Sequence, residues 1–147
     1  FDIVLANMVL MDFTPITSTL SEFSRILTPC GACVFSLLHP LVSASTVKKT
    51  FLDRLFRRSP HYSLSSYVTP QARPWHIQGV GNSTVHHRSL EEYMTAFSSA
   101  SFSLTALSEP VITNPKLTQK NPFYQLSSQV PLFLLGRAIT CSCTSCL

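Results

Sequence analysis

The sequence predicts an α/β fold in which a mainly parallel sheet carries helices on its faces. Residues 2–10 and 33–38 are almost continuously apolar, and short apolar runs without alternation are typical of strands buried on both faces. Between these runs, apolar residues recur at helical spacing. Strand, helix and strand fit within about forty residues, which is the size of one crossover unit of a parallel sheet.

The helix of this unit is predicted from its two ends as well as from its apolar stripe. Thr14 is a suitable N-cap, and Pro15 suits the first helical turn. Pro29 and Gly31 end the helical pattern. The stripe consists of Ile16, Leu20, Phe23 and Leu27.

Residues 41–85 are predicted to form an insertion, or lid, between the second strand and the rest of the domain. Ser45 or Thr46 is a candidate N-cap for an amphipathic helix over residues 47–58. Its apolar face would carry Val47, Phe51, Leu55 and Phe56, and its opposite face Lys48, Lys49, Arg57 and Arg58. Residues 59–84 are rich in serine, proline and glycine, which favours a long loop.

Regular structure is predicted again after the lid. The segment from Ser89 to Glu92 fits a capping box at the start of a helix. Residues 102–107 nearly alternate, as in a half-buried strand, and residues 131–139 form a last apolar strand candidate. The domain is therefore predicted to span residues 1–140, followed by a Cys- and Ser-rich tail at 141–147.

The net charge of +4 is concentrated in one part of the chain. Residues 41–84 hold six basic side chains and one acidic side chain, so the basic character belongs to the predicted lid. The interleaved aromatic and basic residues of nucleic-acid-binding modules do not occur, so no nucleic-acid partner is expected. No apolar run has the length of a membrane span and no leader precedes a cleavage site, so a cytoplasmic protein without stable membrane insertion is expected.

The five cysteines are an odd number in a chain without a secretory signal. This argues against a disulfide framework and for a reducing compartment. Cys141, Cys143 and Cys146 could bind a soft metal, but three thiols need a fourth ligand and an ordered backbone. No metal site is therefore expected.

Six passages follow each other along the chain in a recognisable order. They are Phe1 to Leu10, Leu27 to Gly31, Val34 to Pro40, His87 to Tyr93, Ala100 to Pro110 and Pro131 to Leu135. In this order they resemble class I S-adenosylmethionine-dependent methyltransferases of the small-molecule type, from the fourth strand of that fold to its closing strand. Cys30 and Ser101 stand where glycine is usual in that family.

The resemblance implies a partial Rossmann-like sheet. Of the family's strand order 3-2-1-4-5-7-6, this chain would supply strands 4-5-7-6 with flanking helices and an inserted lid. It also implies S-adenosyl-L-methionine as cofactor and a small molecule as methyl acceptor. The glycine-rich turn and the acidic residue that hold the methionine and ribose parts in this family are expected upstream of Phe1, so this chain alone is expected to be inactive.

The candidate site residues lie at the predicted strand ends. Ala6, Asn7 and Met8 follow the fourth strand of the resembling fold, where ligands gather at the carboxyl edge of a parallel sheet, and they are predicted to bind the cofactor. The alternative is that Met8 belongs to the core and Asn7 caps a turn. His39 ends the next strand and is predicted to face substrate, where it could act as a base.

The alternative for His39 is a histidine that is hydrogen-bonded beside a proline turn. His86 and His87 point to opposite faces of an extended chain and cannot serve one metal. Both are interpreted as structural, and Arg88 is interpreted as pairing with an acid.

Three functions stay open at this point. The first is methyl transfer to a small molecule as part of a longer protein. The second is a catalytically incompetent methyltransferase remnant or partner-binding fragment. The third is a membrane-surface module in which the basic helix binds anionic lipid. Without strands 1 to 3, the first strand becomes an apolar, unpaired edge, so self-association of this chain is expected.

Overall fold

The computed structural model describes residues 1–48, 61–64, 66–77, 81–114, 116 and 126–140. The strands in chain order are β1 (Ile3–Asn7), β2 (Ala32–Leu38), β3 (Ser45–Lys48), β4 (His61–Leu64), β5 (Gln71–Ile77), β6 (Gly81–His87), β7 (Phe102–Ser108) and β8 (Phe133–Thr140). The helices are α1 (Ile16–Ile26), α2 (Pro40–Ser43) and α3 (Leu90–Ser99). No helix in these ranges is long and apolar enough to cross a membrane.

Four strands form the main sheet in the order β1-β2-β8-β7. β1 runs parallel to β2, whereas β8 is antiparallel to both β2 and β7. This order confirms the predicted fold class and the partial sheet 4-5-7-6, because β8 is inserted between the strands that precede it in sequence. A bulge between Leu104 and Ala106 shifts the register of β7 against β8.

The core lies between one face of this sheet and the two longer helices. α1 contributes Ile16 and Leu20, and α3 contributes Tyr93, Ala96 and Phe97. They pack against buried side chains of all four strands, which are Ala6, Cys33, Phe35, Leu37, Phe102, Leu134 and Ala138. The rings of Phe35 and Phe97 stack with their centroids 4.7 Å apart.

The predicted helix α1 is confirmed, but its predicted first residues are wrong. Pro15 occupies the N-cap position in extended conformation, without a side-chain hydrogen bond, and Thr14 precedes it. The peptide bond between Thr14 and Pro15 is cis. A proline ring suits a non-helical cap position, because its missing N–H would be unpaired at a helix start in any case.

The first strand is shorter and more exposed than the sequence predicted. β1 ends at Asn7 rather than at residue 10, and the residues Ile3 and Leu5 are 64% and 72% exposed. The expectation of burial on both faces is therefore wrong for this chain. The reason is that the core with α1 and α3 lies on the other face of the sheet, so Ile3 and Leu5 face outwards. β1 is also an edge strand that pairs with β2 alone among the described strands, as expected.

The lid region contains more strand than the sequence predicted. Residues 45–48 form β3, which pairs with β4, so a helix capped by Ser45 or Thr46 is wrong at its first turn. β5 and β6 form an antiparallel hairpin within the stretch that favoured a loop. Residues 49–60, which carry most of the predicted amphipathic helix, lie outside the described residues.

The helix start after the lid is confirmed. The Ser89 hydroxyl oxygen accepts a hydrogen bond from the backbone N–H of Glu92 at 3.2 Å. The Glu92 carboxylate lies 3.7 Å from Nε of Arg88, which supports the interpretation that Arg88 pairs with an acid.

Among the cysteines, Cys33 is buried and free, whereas Cys30 is disulfide-bonded. The odd count argued against a disulfide framework, and a single bond at Cys30 is not a framework. The tail cysteines Cys141, Cys143 and Cys146 lie outside the described residues.

Candidate functional site

A small polar network joins the ends of the two parallel strands. The Ser36 hydroxyl donates to Oδ1 of Asn7 at 2.5 Å. The backbone N–H of Met8 lies 2.9 Å from the Ser36 carbonyl oxygen and 3.1 Å from its Oγ. These contacts form because Asn7 pairs with Ser36 in the parallel register, and Met8 turns the chain away with a positive φ of 54°.

The three predicted cofactor residues occupy different environments at this edge. Ala6 is buried in the core between the sheet and the helices, Met8 is half-buried, and Asn7 is exposed. Since Oδ1 of Asn7 accepts from Ser36, the amide nitrogen of the same side chain is left facing solvent as a donor.

Ser36 was not identified as a site residue from the sequence. A signal was present, because Ser36 is the one polar residue in the apolar run from Cys33 to Leu38. Its partner could not be inferred without the register, which aligns Ser36 with Asn7.

His39 lies at the end of β2 and caps the short helix α2. Its Nδ1 accepts a hydrogen bond from the backbone N–H of Leu41 at 3.2 Å. Its Nε2 is 2.8 Å from Oε1 of Glu109, so in the neutral ring Nε2 carries the proton and donates it to the carboxylate. These contacts agree with the alternative of a histidine hydrogen-bonded beside a proline turn, and its proposed role in binding substrate stays a prediction.

His87 connects the β5–β6 hairpin to the rest of the described structure. Its buried ring lies between Oγ of Ser43, 2.6 Å from Nδ1, and the carbonyl oxygen of Tyr67, 2.7 Å from Nε2. Arg73 of β5 donates to the carbonyl oxygen of Ser43 at 3.1 Å. The Tyr67 hydroxyl accepts from the backbone N–H of Leu90 at 3.0 Å, so the hairpin is fastened to both α2 and α3.

Arg88 fixes the segment that leaves β1. Its guanidinium donates to the carbonyl oxygen of Phe13 at 2.5 Å and to that of Leu10 at 3.4 Å. It also lies 5.9 Å from the centre of the Tyr93 ring and is almost fully buried. Carbonyl oxygens compensate part of the cost of burying this charge, and the Glu92 carboxylate supplies the opposite charge.

A cleft lies beside the start of α1 and along α3 as far as Ser99, and it extends to the β5–β6 hairpin. It consists of two cavities of about 560 Å³ and 190 Å³ that share Thr14, Arg88 and Glu92 in their walls. Residues 14–17 line the first cavity, whereas His86 and His87 line the second. A cleft of this size suits a small organic ligand.

The ionisable groups near the cleft respond to burial and to each other. Burial raises the pKa of Asp12, and the neighbouring His86 opposes this by lowering it. Burial also raises the pKa of Tyr93, against the opposing effect of Arg88. Within the described ranges, no group of three or more His, Cys, Asp or Glu side chains could hold a metal ion.

Cys33 is excluded as a nucleophile. Its thiol lies in the core, and burial raises its pKa to about 11. The reactive thiolate form is therefore scarce at neutral pH.

Comparison with known proteins finds similar solved structures but no matching sequence. No family model and no curated protein sequence matches the chain. Among solved structures, an S-adenosylmethionine-dependent methyltransferase from Mesorhizobium loti matches with a TM-score of 0.75 and 21% identity, over 95% of this chain and 62% of that chain.

Two further methyltransferase structures are similar. A putative S-adenosylmethionine-dependent methyltransferase from Listeria monocytogenes has a TM-score of 0.73 and 19% identity, over 95% of this chain and 61% of that chain. The glycopeptide N-methyltransferase MtfA in complex with S-adenosylhomocysteine has a TM-score of 0.52 and 12% identity, over 95% of this chain and 54% of that chain.

The chain thus spans less than two thirds of the length of the structures that it matches. The described part of the chain has the Rossmann-like fold of the S-adenosylmethionine-dependent methyltransferases.

Proposed function

We propose that residues 1–140 are the C-terminal part of a methyltransferase domain that transfers a methyl group from S-adenosyl-L-methionine to a small molecule. Residues 41–85 are the lid of this domain, and residues 141–147 are a tail. The observation that carries the proposal is the network of Asn7, Met8 and Ser36 at the carboxyl edge of the two parallel strands, in a sheet with the strand order of methyltransferases.

The residues at this edge suit a nucleoside ligand. Bound S-adenosyl-L-methionine would supply both the methyl group and its own leaving group, so the protein mainly aligns and shields the reactants. Asn7 offers an exposed amide donor held in place by Ser36. Met8 offers a half-buried thioether side chain, and Ala6 contributes through its backbone, because its side chain lies in the core.

His39 is proposed to contact substrate from the neighbouring strand end. Both of its ring nitrogens are engaged, so substrate would have to replace Glu109 at Nε2. The Glu109 side chain is 52% exposed and can therefore leave without breaking the core.

The proposal is tested by titration calorimetry with S-adenosylhomocysteine. We expect Asn7→Ala to weaken binding about tenfold, which corresponds to the loss of one hydrogen bond to a polar ligand. Asn82→Ala is the matched control, because Asn82 is exposed on β6 and contacts His76 in the hairpin. Equal affinities of the Asn7 and Asn82 variants would exclude Asn7 from the cofactor site.

The same titration separates the enzyme from an incompetent remnant or partner-binding fragment. We expect a natural protein that extends this chain upstream to bind S-adenosylhomocysteine more tightly than the 147 residues alone, because the upstream part would add the glycine-rich turn. Absence of binding by both proteins would favour the remnant. The small-molecule acceptor and a cytoplasmic location are part of the same proposal.

A further inference from the structure

The two cysteines of the described ranges differ in their chemical state. Cys30 is disulfide-bonded, whereas Cys33 is buried and free. The chain has three further cysteines in its tail, which are Cys141, Cys143 and Cys146 and lie outside the described residues. The partner of Cys30 is therefore one of these three tail cysteines.

The register of β2 and β8 continues into the segment that holds Cys30. In this antiparallel pair Ala32 lies opposite Ile139, so each step back along β2 is one step forward along β8. At the next step, the N–H of Thr140 donates to the carbonyl oxygen of Gly31 at 3.1 Å. The buried hydroxyl of Thr140 also donates to the backbone carbonyl oxygen three residues before Gly31, at 3.2 Å. The end of β8 is thus fixed on the turn that precedes β2.

This register favours Cys141 over the other two tail cysteines. One step beyond the pair at Gly31 sets Cys30 opposite Cys141. Directly opposed residues of an antiparallel pair have Cα atoms about 4.5–5.5 Å apart, which is within the roughly 4.4–6.8 Å that a disulfide spans. Cys143 is two residues further along, and in an extended chain it would be a diagonal neighbour at about 7–8 Å, beyond this reach.

The backbone and the exposure of Cys30 bear on how its thiol is used. Cys30 has a φ of 63°, in the left-handed region that favours glycine. A side chain therefore costs conformational free energy at this position, and the bond to a second sulfur gives it a function. Cys30 is half-buried, so a small external thiol can reach the bond, and accessible disulfides are the ones that exchange.

We propose that Cys30 and Cys141 form a reversible disulfide that fastens the end of β8 and the start of the tail to the turn before β2. This inference is independent of the proposed methyl transfer. To open the bond, the thiolate of one glutathione attacks one sulfur, the sulfur–sulfur bond breaks, and its electron pair goes to the other cysteine sulfur, which takes up a proton. A second glutathione thiolate then attacks the mixed disulfide, so the remaining cysteine is released as a thiol and the glutathiones leave as one disulfide. Exchange with oxidised glutathione re-forms the bond by the reverse steps.

The bond lies at the amino edge of the sheet, away from the strand ends of the proposed cofactor site. Cys30 precedes β2, whereas Ser36 lies near the carboxyl end of that strand. The bond closes a segment of roughly 110 residues, and a cross-link across so long a segment stabilises the folded state by restricting the unfolded chain. Disulfides of cytoplasmic proteins are usually transient or redox-sensing, so a reversible bond also fits the proposed location.

The partner of Cys30 is tested by peptide mapping of the 147-residue protein. The protein is equilibrated with oxidised glutathione, and its free thiols are blocked with N-ethylmaleimide during unfolding, which prevents exchange. Trypsin leaves Cys30 and the tail cysteines on separate peptides, residues 26–48 and 138–147. We expect these two peptides to be cross-linked, with fragmentation placing the bond between Cys30 and Cys141.

Cys141→Ser and Cys143→Ser are the matched variants, because each removes one tail thiol. We expect the cross-link to be lost in Cys141→Ser and kept in Cys143→Ser. A bond from Cys30 to Cys143 or Cys146 in the unaltered protein, or a cross-link between two copies on a non-reducing gel, would overturn the assignment. Fragmentation of the unaltered protein decides this even if a variant does not fold.

The stabilising effect and the reversibility are tested by urea denaturation. We expect transfer from oxidised to reduced glutathione to lower the urea midpoint by about 1–2 M in the unaltered protein and in Cys143→Ser. The midpoint of Cys141→Ser should not respond, and return to oxidised glutathione should restore the others. A cross-link that persists in reduced glutathione contradicts the reversible exchange. Equal midpoints of the oxidised and reduced unaltered protein contradict the stabilising role.

Discussion

Gly136 of β8 leaves the space that the Phe35 ring occupies. The two residues are register partners in the β2–β8 pair. A Cβ atom at position 136 would overlap Cζ of Phe35 and lie 2.6 Å from its Cε1. Phe35 is fully buried and stacks on Phe97, so its ring cannot move aside without disturbing α3. We expect Gly136→Ala to lower the free energy of unfolding by about 1–3 kcal/mol, the usual cost of overpacking a core, as measured by urea denaturation.

A double-mutant cycle tests the cause of this loss. Phe35→Leu removes the ring atoms that meet the added Cβ, at the cost of a cavity. If the steric explanation holds, Gly136→Ala costs less in the Phe35→Leu background than in the original protein. An equal cost in both backgrounds would show that Phe35 is not the group that excludes a side chain at position 136.

At the scale of residues, the resemblance predicted where the first strand ends better than the residue pattern did. The apolar run continues to Leu10, whereas β1 ends at Asn7. The hydrogen bond from Ser36 to Asn7 and the acceptor role of Nδ1 in His39 depend on register and on the turn at Pro40. Neither is encoded in the spacing of residue types, so these contacts could not be predicted.

At the scale of elements, the start of helix α3 depends on the side chain of Ser89. Ser89 is buried, and its hydroxyl caps the N–H of Glu92. We expect Ser89→Ala to lower the free energy of unfolding by about 1 kcal/mol. Ser89→Asp should retain most of the stability that the cap provides, because a carboxylate accepts the same hydrogen bond. Ser98→Ala, in the exposed last turn of the same helix, is the control. Equal midpoints for the Ser89 and Ser98 alanine variants in thermal unfolding would contradict this role.

The elements that the sequence predicted correctly are those whose signal is local. α1 and α3 follow from apolar spacing within one helix, and β2, β7 and β8 follow from short apolar or alternating runs. β3 was missed because its stability comes from pairing with β4, thirteen or more residues away. Such pairing overrides the helical spacing of residues 45–48, where Thr46 and Val47 are β-branched and suit a strand.

At the scale of the whole molecule, the two faces of the main sheet differ in how far they are covered. One face is covered by α1 and α3. The alternating residues of the other face include four exposed apolar side chains, which are Ile3, Leu5, Phe133 and Leu135. The register places Val34 between Leu5 and Arg137, so this face forms one surface across three strands. Its edge is β1, whose outer backbone groups have no strand partner among the described strands.

An apolar face beside a free strand edge favours association with another chain. We expect the 147-residue protein to self-associate, and we expect Leu5→Lys to shift it towards monomer in sedimentation velocity. A charged side chain at this position repels a second copy and resists burial in an interface. Val111→Lys is the matched control, because Val111 is an exposed aliphatic residue that follows β7 and lies outside the strands.

The comparison of the two lysine variants shows whether self-association uses the β1 edge or any exposed apolar side chain. If Val111→Lys reduces association as strongly as Leu5→Lys, the contact does not involve the β1 edge. If the unaltered protein is monomeric at high concentration, the exposed side chains of this face are too few to hold two copies together, and the prediction is wrong. Hydrogen exchange tests the β1 edge directly, since pairing with a second copy would protect the backbone amides of Ile3 and Leu5 that a free edge leaves open.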